Sequence, residues 1–141
     1  MPCHRSAQYA VVLIAATLST LAVPGRAEDI HGRQLYVDHC ASCHGVNLEG
    51  QPDWKQRLPT GRLPAPPHDA TGHTWHHSDR QLFRIVKEGP VAIMPGYETD
   101  MPGFGPVLDD DEITAVLDYI KGTWPEHERD VQAAKSAADP F

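Results

Sequence analysis

The sequence predicts one small domain of the all-α class, with three to four helices joined by long loops. Three segments combine a capping residue with apolar residues at helical spacing, and no segment shows the alternation that is typical of a strand. Two connections, residues 45–77 and 90–108, are long and rich in proline. Loops of that length are uncommon in a compact domain unless they perform a function, such as enclosing a bound group.

The first two predicted helices are marked by residues at their ends. The first follows Asp29 as N-cap and runs into Cys40. The second follows Ser78, which forms a capping box with Gln81 three residues later, and it stops at Gly89. The apolar residues are Ile30, Leu35, Tyr36 and Val37 in the first helix, and Leu82, Ile85 and Val86 in the second.

The third predicted helix has the clearest pattern. Asp109 is the N-cap, Glu112 is at the capping-box position, and Gly122 and Pro125 end the helix. Ile113, Val116, Leu117 and Ile120 follow the i, i+3, i+4, i+7 spacing of one apolar face. The remaining residues, 126–141, are polar and rich in alanine, and we expect a frayed helix or disorder there.

The N-terminal segment has the features of a secretory signal peptide. Arg5 precedes an apolar run over residues 10–23, and small residues lead to a predicted cut after Ala27. A bilayer requires about 20 apolar residues, so the run favours a cleaved signal over an uncleaved anchor. We therefore expect a signal peptide over 1–27, a mature domain over 28–125, and a periplasmic or otherwise extracytoplasmic location.

The mature domain is acidic. Removing residues 1–27 takes away Arg5 and Arg26 and leaves 10 basic residues against 19 acidic ones, a net charge of −9. Such a charge disfavours nucleic acid and anionic lipid, and it suits a partner protein that presents a basic patch. Membrane association would require the signal segment to stay uncleaved.

Only two cysteines remain in that domain, and they lie in the stretch "CASCHG" as Cys40, Cys43 and the adjacent His44. A thioredoxin-like dithiol needs a preceding strand, and a zinc site needs a second ligand pair, to which His76 and His77 could contribute. Cys-x-x-Cys-His is also the form of c-type haem attachment, in which two thiols form thioethers and the imidazole is the proximal iron ligand. We favour covalent haem; zinc and dithiol chemistry are the alternatives.

From about Gly32 to Pro125 the chain resembles the class I c-type cytochromes. The residues that carry the resemblance are Gly32, Leu35 and Tyr36, the Cys40–His44 site, a methionine loop and the helix "LDDDEITAVLDYIKGTWP". The resemblance implies a cytochrome c-like fold wrapped around one covalent haem c. It also implies that the first and last helices cross closely, with Gly32 and Tyr36 meeting Leu117, Tyr119 and Ile120.

The resemblance further implies a methionine sulfur as the second axial ligand. Two loops contain candidates, Met94 in "MPGYETD" and Met101 in "MPGFG". The family's usual loop reads Met-Pro-x-Phe-Gly before the capped last helix, which favours Met101. Met94 would then be an apolar residue packed near the haem.

Other residues of the long loop are candidates for supporting roles, and the resemblance suggests the role of the proline. Pro66 or Pro67 would accept a hydrogen bond from His44 through its carbonyl, and Trp75 would donate its indole N–H to a haem propionate. Four loop histidines, His68, His73, His76 and His77, either bind backbone or propionate groups or form a second metal or iron-ligand site. We favour the first reading, since their spacing suits no standard zinc geometry.

The resemblance thus implies a monohaem electron carrier that is not itself an enzyme and that meets redox proteins through a transient, charge-steered contact. Three alternatives remain: the haem subunit of an oxidase or dehydrogenase, a haem protein that binds or senses a small ligand, and a module that binds copper or zinc through the loop histidines.

Overall fold

The computed structural model describes residues 24–141, with side chains from Asp29 onward. It contains five α-helices, α1 (Pro24–His39), α2 (Ala41–His44), α3 (Asp79–Glu88), α4 (Asp110–Gly122) and α5 (Glu126–Ala138), and two 3-10 turns, Thr74–His76 and Pro90–Ala92. Residues 24–141 include no strand, so the all-α prediction is confirmed. No helix in this range is long and apolar enough to cross a bilayer.

Helix α1 begins earlier than predicted. The chain is already helical at Pro24, where the described residues begin, so the predicted N-cap at Asp29 is wrong. The predicted signal peptide, residues 1–27, lies outside the described residues except for 24–27.

Helices α3 and α4 begin at the predicted caps. Ser78 Oγ accepts the Gln81 backbone N–H at 3.1 Å, while the Gln81 side chain contacts His77 and so does not complete the box. In α4 both halves are present: the Glu112 N–H donates to Asp109 Oδ1, and the Asp109 N–H donates to Glu112 Oε2, each at 2.9 Å. Each cap satisfies backbone donors that a helix start leaves unpaired.

The crossing of α1 and α4 forms the centre of the fold. At Gly32 the helices come so close that a Cβ would lie 2.2 Å from the carbonyl oxygen of Ala115. The ring of Tyr36 is fully buried and packs against Tyr119 with centroids 5.5 Å apart. The crossing predicted for Gly32 and Tyr36 is therefore present, with Tyr119 as their shared neighbour.

The C-terminal segment is ordered, which corrects the expectation of a frayed or disordered tail. Helix α5 packs against α3 and the 3-10 turn before it. Gln132 is 5 % exposed and donates to Asp79 Oδ1 at 2.9 Å, and Ser136 Oγ accepts the Asp79 backbone N–H at 2.9 Å. Beyond the helix, Asp139 accepts a hydrogen bond from the Ser78 hydroxyl. Polar contacts thus hold α5 against the start of α3.

Candidate haem-binding site

The cysteine motif forms one helical turn directly after α1. The backbone N–H groups of Cys43 and His44 donate to the carbonyl of Cys40 at 3.1 and 2.9 Å, and Gly45 ends the turn with a positive φ of 82°. Glycine adopts that conformation without a steric penalty. One turn of helix brings both thiols and the imidazole to the wall of a single cavity.

Cys40 and Cys43 are not joined in a disulfide. Burial, and secondarily the charge of Cys43, raises the pKa of Cys40 to about 11. Reactive dithiols of the Cys-x-x-Cys type depend instead on a thiol with a lowered pKa. A thiol that stays protonated at neutral pH argues against a thioredoxin-like role for Cys40.

His44 is held by the loop that follows it. Its side chain is buried, and its Nδ1–H donates to the carbonyl of Pro66 at 2.8 Å. Burial lowers the pKa of His44, although the hydrogen bond to Pro66 opposes the shift. The ring is therefore neutral, and because Nδ1 carries the proton, Nε2 has a free lone pair. A neutral imidazole with its second nitrogen anchored is the form that binds metal.

The cavity has a volume of about 350 Å³, within the usual range for small-molecule sites. Apolar side chains from α3, α4 and the two long loops form much of its wall, among them Leu58, Leu63, Leu82, Ile85, Val86, Phe104, Val116, Leu117 and Ile120. Met101 also lines the cavity, whereas Met94 does not and is 45 % exposed. Two thiols, an imidazole and a thioether therefore meet in one apolar cavity, and this set of groups fits a covalently attached haem.

Three of the four loop histidines, His68, His73 and His77, line this cavity, while His76 stacks on Trp75 with ring centroids 3.7 Å apart. Burial, followed by the charges of His44 and His73, lowers the pKa of His68 well below its usual value. Within residues 24–141 no three side chains of the His, Cys, Asp and Glu types are grouped so that they could hold a metal ion.

The structure does not bring Trp75 to the role expected of it. Its indole N–H donates to the carbonyl of Ala70 at 3.3 Å, and its side chain does not line the cavity. The tryptophan that supports the site is Trp124, which sequence reasoning missed. It is 1 % exposed, and its indole N–H donates to the carbonyl of His68 at 2.7 Å.

A family model for cytochrome c matches residues 30–124. The chain belongs to the cytochrome c family. Members bind haem c covalently, and Cys40 and Cys43 have the spacing that this attachment requires. The match ends at Trp124, so α5 lies outside it. Searches among curated proteins and among solved structures returned no match. The chain is a haem-binding, electron-transfer cytochrome.

Proposed function

We propose that this cytochrome is a monohaem electron carrier, rather than an enzyme, and that it works outside the cytoplasm with His44 and Met101 as axial ligands. The observation that carries the proposal is that both side chains line the cavity that holds Cys40 and Cys43. Haem bound there supplies a one-electron iron couple. With both axial positions filled by the protein, the site would hold no open position for a substrate.

Backbone hydrogen bonds restrain the methionine loop at Met101 and after it. The backbone N–H of Met101 donates to the Thr99 hydroxyl at 3.0 Å. Three residues later, the backbone N–H of Phe104 donates to the carbonyl of Val86 at 2.8 Å, which ties the loop to the end of α3. Pro102 stiffens the backbone between these two bonds. A sulfur held by a fixed loop needs little rearrangement when the iron changes charge, which favours fast electron transfer.

The surface supports a partner protein as donor or acceptor. Ser42, between the two cysteines, is exposed and does not line the cavity, so the attachment turn reaches the surface where a partner could approach. Asp109, Asp110 and Asp111 are exposed on α4 and its cap, and the domain after residue 27 carries a net charge of −9. We therefore expect a redox protein with a basic contact surface, bound through a small and transient interface. Export through a signal peptide over residues 1–27 would bring the protein to its proposed location outside the cytoplasm.

Absorption spectra of the oxidised and reduced holoprotein test the ligation. We expect the oxidised wild type to show the weak near-infrared band of a sulfur-to-iron bond. The band should be absent from Met101→Ala and retained in Met94→Ala, which is the matched control. A band that is lost only in Met94→Ala would contradict Met101 ligation. A wild-type spectrum that is high-spin or bis-histidine would contradict the electron-carrier proposal itself.

A further inference from the structure

His68 lies directly against the candidate iron ligand. The rings of His68 and His44 are stacked with centroids 3.9 Å apart and planes inclined by 22°. The backbone of His68 is fixed on both sides, because its N–H donates to the carbonyl of Leu48 at 2.8 Å and its carbonyl accepts the indole N–H of Trp124 at 2.7 Å. The stacking partner of His44 is therefore attached to two separate parts of the fold.

The orientation of the His68 ring is also fixed. Its Nδ1 lies 2.8 Å from the hydroxyl oxygen of Thr74, a residue that is 6 % exposed. The Thr74 hydroxyl donates its own proton to the carbonyl of Pro67 at 3.5 Å. The 2.8 Å bond holds this edge of the ring whichever tautomer of His68 is present. One nitrogen of the ring is thus anchored, and the ring cannot turn without breaking this bond.

The stacked ring restrains the orientation of the His44 imidazole in addition to its hydrogen bond. The torsion between an imidazole and its Cβ is soft, and its distribution is broad. The hydrogen bond from His44 Nδ1 to Pro66 restrains this torsion at one atom of the ring, but a hydrogen bond tolerates a spread of angles, within which the ring can still rock. A flat ring stacked on one face opposes this rocking, as contacts beyond the metal ligands commonly do for ligand imidazoles.

We propose that His68 is a positioning residue for His44: by stacking on the imidazole, it fixes the orientation that the iron ligand presents to the cavity. The inference rests on the proposed function, in which His44 ligates iron. It assigns to His68 neither metal ligation nor proton transfer. The essential property is a flat ring in this place, so another flat ring should largely replace it.

The experiment compares oxidised holoproteins by electron paramagnetic resonance and by reduction potential. The variants are His68→Ala, which removes the ring, and His68→Phe, which keeps a flat ring without the anchored nitrogen. His76→Asn is the control, since His76 belongs to the same loop but stacks on Trp75 outside the cavity. The near-infrared band reports whether ligation persists in each protein.

We expect His68→Ala to show shifted or heterogeneous g-values while its near-infrared band remains. Its reduction equilibrium constant should change by up to about tenfold, which is ~59 mV for one electron. His68→Phe should stay close to the wild type in g-values, and His76→Asn should match the wild type in both measurements.

Unchanged g-values in His68→Ala would overturn the proposal, and so would equal changes in the Ala and Phe variants, because stacking would then not be the cause. If circular dichroism shows that His68→Ala does not fold, Thr74→Val replaces it, since this change keeps the His68 ring and removes the hydroxyl that is hydrogen-bonded to its Nδ1 and to the Pro67 carbonyl. A shift of g-values in the Thr74 variant supports the proposal, and wild-type values there overturn it. Failure of the proposed function is visible separately, as a wild-type protein without the sulfur-to-iron band.

Discussion

Replacing Gly32 with alanine is expected to destabilise the protein, because the added methyl group has no room between α1 and α4. Its Cβ would lie 2.2 Å from the Ala115 carbonyl oxygen, and contacts of this kind in proteins essentially never fall under 3.0 Å, so the helices must separate by roughly 0.8 Å. The obstacle is backbone, which no side-chain rotation can relieve. Overpacking of this type costs about 1–3 kcal/mol, and a gap of that width forfeits roughly a quarter to a half of the dispersion energy of each contact it opens.

The expected change in stability is opposite in sign to the usual effect of a Gly→Ala substitution in a helix. In an uncrowded helix interior, Gly→Ala stabilises by roughly 1 kcal/mol. This gain offsets part of the overpacking cost and leaves a net loss of up to about 2 kcal/mol. Thermal unfolding followed by circular dichroism should therefore give a Tm for Gly32→Ala up to about 8 °C below the wild type, at roughly 4 °C per kcal/mol for a domain of this size. Gly122→Ala is the matched control, since a Cβ at the end of α4 would meet nothing within 4 Å. A Tm for Gly32→Ala equal to or above the wild type would refute the close approach of the helices.

Two further predictions concern hydrogen bonds that stabilise the fold around the site. Tyr36→Phe removes the 2.8 Å hydrogen bond from the phenol to the Gly45 carbonyl, and it should lower the free energy of unfolding by about 1–2 kcal/mol in urea titrations; an unchanged value would contradict a structural role for this bond. Burial raises the pKa of Asp79, but hydrogen bonds from Lys121 and Gln132 outweigh burial and lower it from 3.8. Because the folded state favours the carboxylate form, Asp79 contributes to stability above pH 3.8. This contribution is lost as the pH falls through the pKa that Asp79 has in the folded protein. The Tm difference between wild type and Asp79→Asn should therefore be largest near neutral pH and shrink below about pH 4, and a difference independent of pH would contradict the assignment.

The parts of the fold that the sequence predicted are those encoded locally. Asp109 and Glu112 cap α4 through bonds that span three residues, so their pattern is visible in the chain itself. The choice between Pro66 and Pro67 could not be made in this way, because it depends on the path of the loop. The Gln51 N–H bonds to the carbonyl of Ala65, and the carbonyl of the next residue, Pro66, faces His44.

The sequence did not predict the packing of α5 or the hydrogen-bond acceptors of the tryptophans, for a different reason. Helix prediction from periodicity looks for an apolar face, and α5 is held by polar contacts such as that between Gln132 and Asp79, 53 residues apart. A buried indole N–H needs an acceptor, but the chain does not show which one. Trp75 finds the Ala70 carbonyl five residues away, while Trp124 reaches the carbonyl of His68 across 56 residues.

These long-range contacts connect the C-terminal helix to the candidate iron ligand. Arg129 of α5 donates to the carbonyl of Trp124, the indole of Trp124 donates to the carbonyl of His68, and His68 stacks on His44. Each contact restrains the group that makes the next one, so the position of the His68 ring on His44 depends on the packing of α5. Helix α5 begins just beyond the segment that matches the cytochrome c family, so this support comes from outside the matched segment. It follows that residues 126–138 belong to the structural support of the haem site rather than to a passive tail.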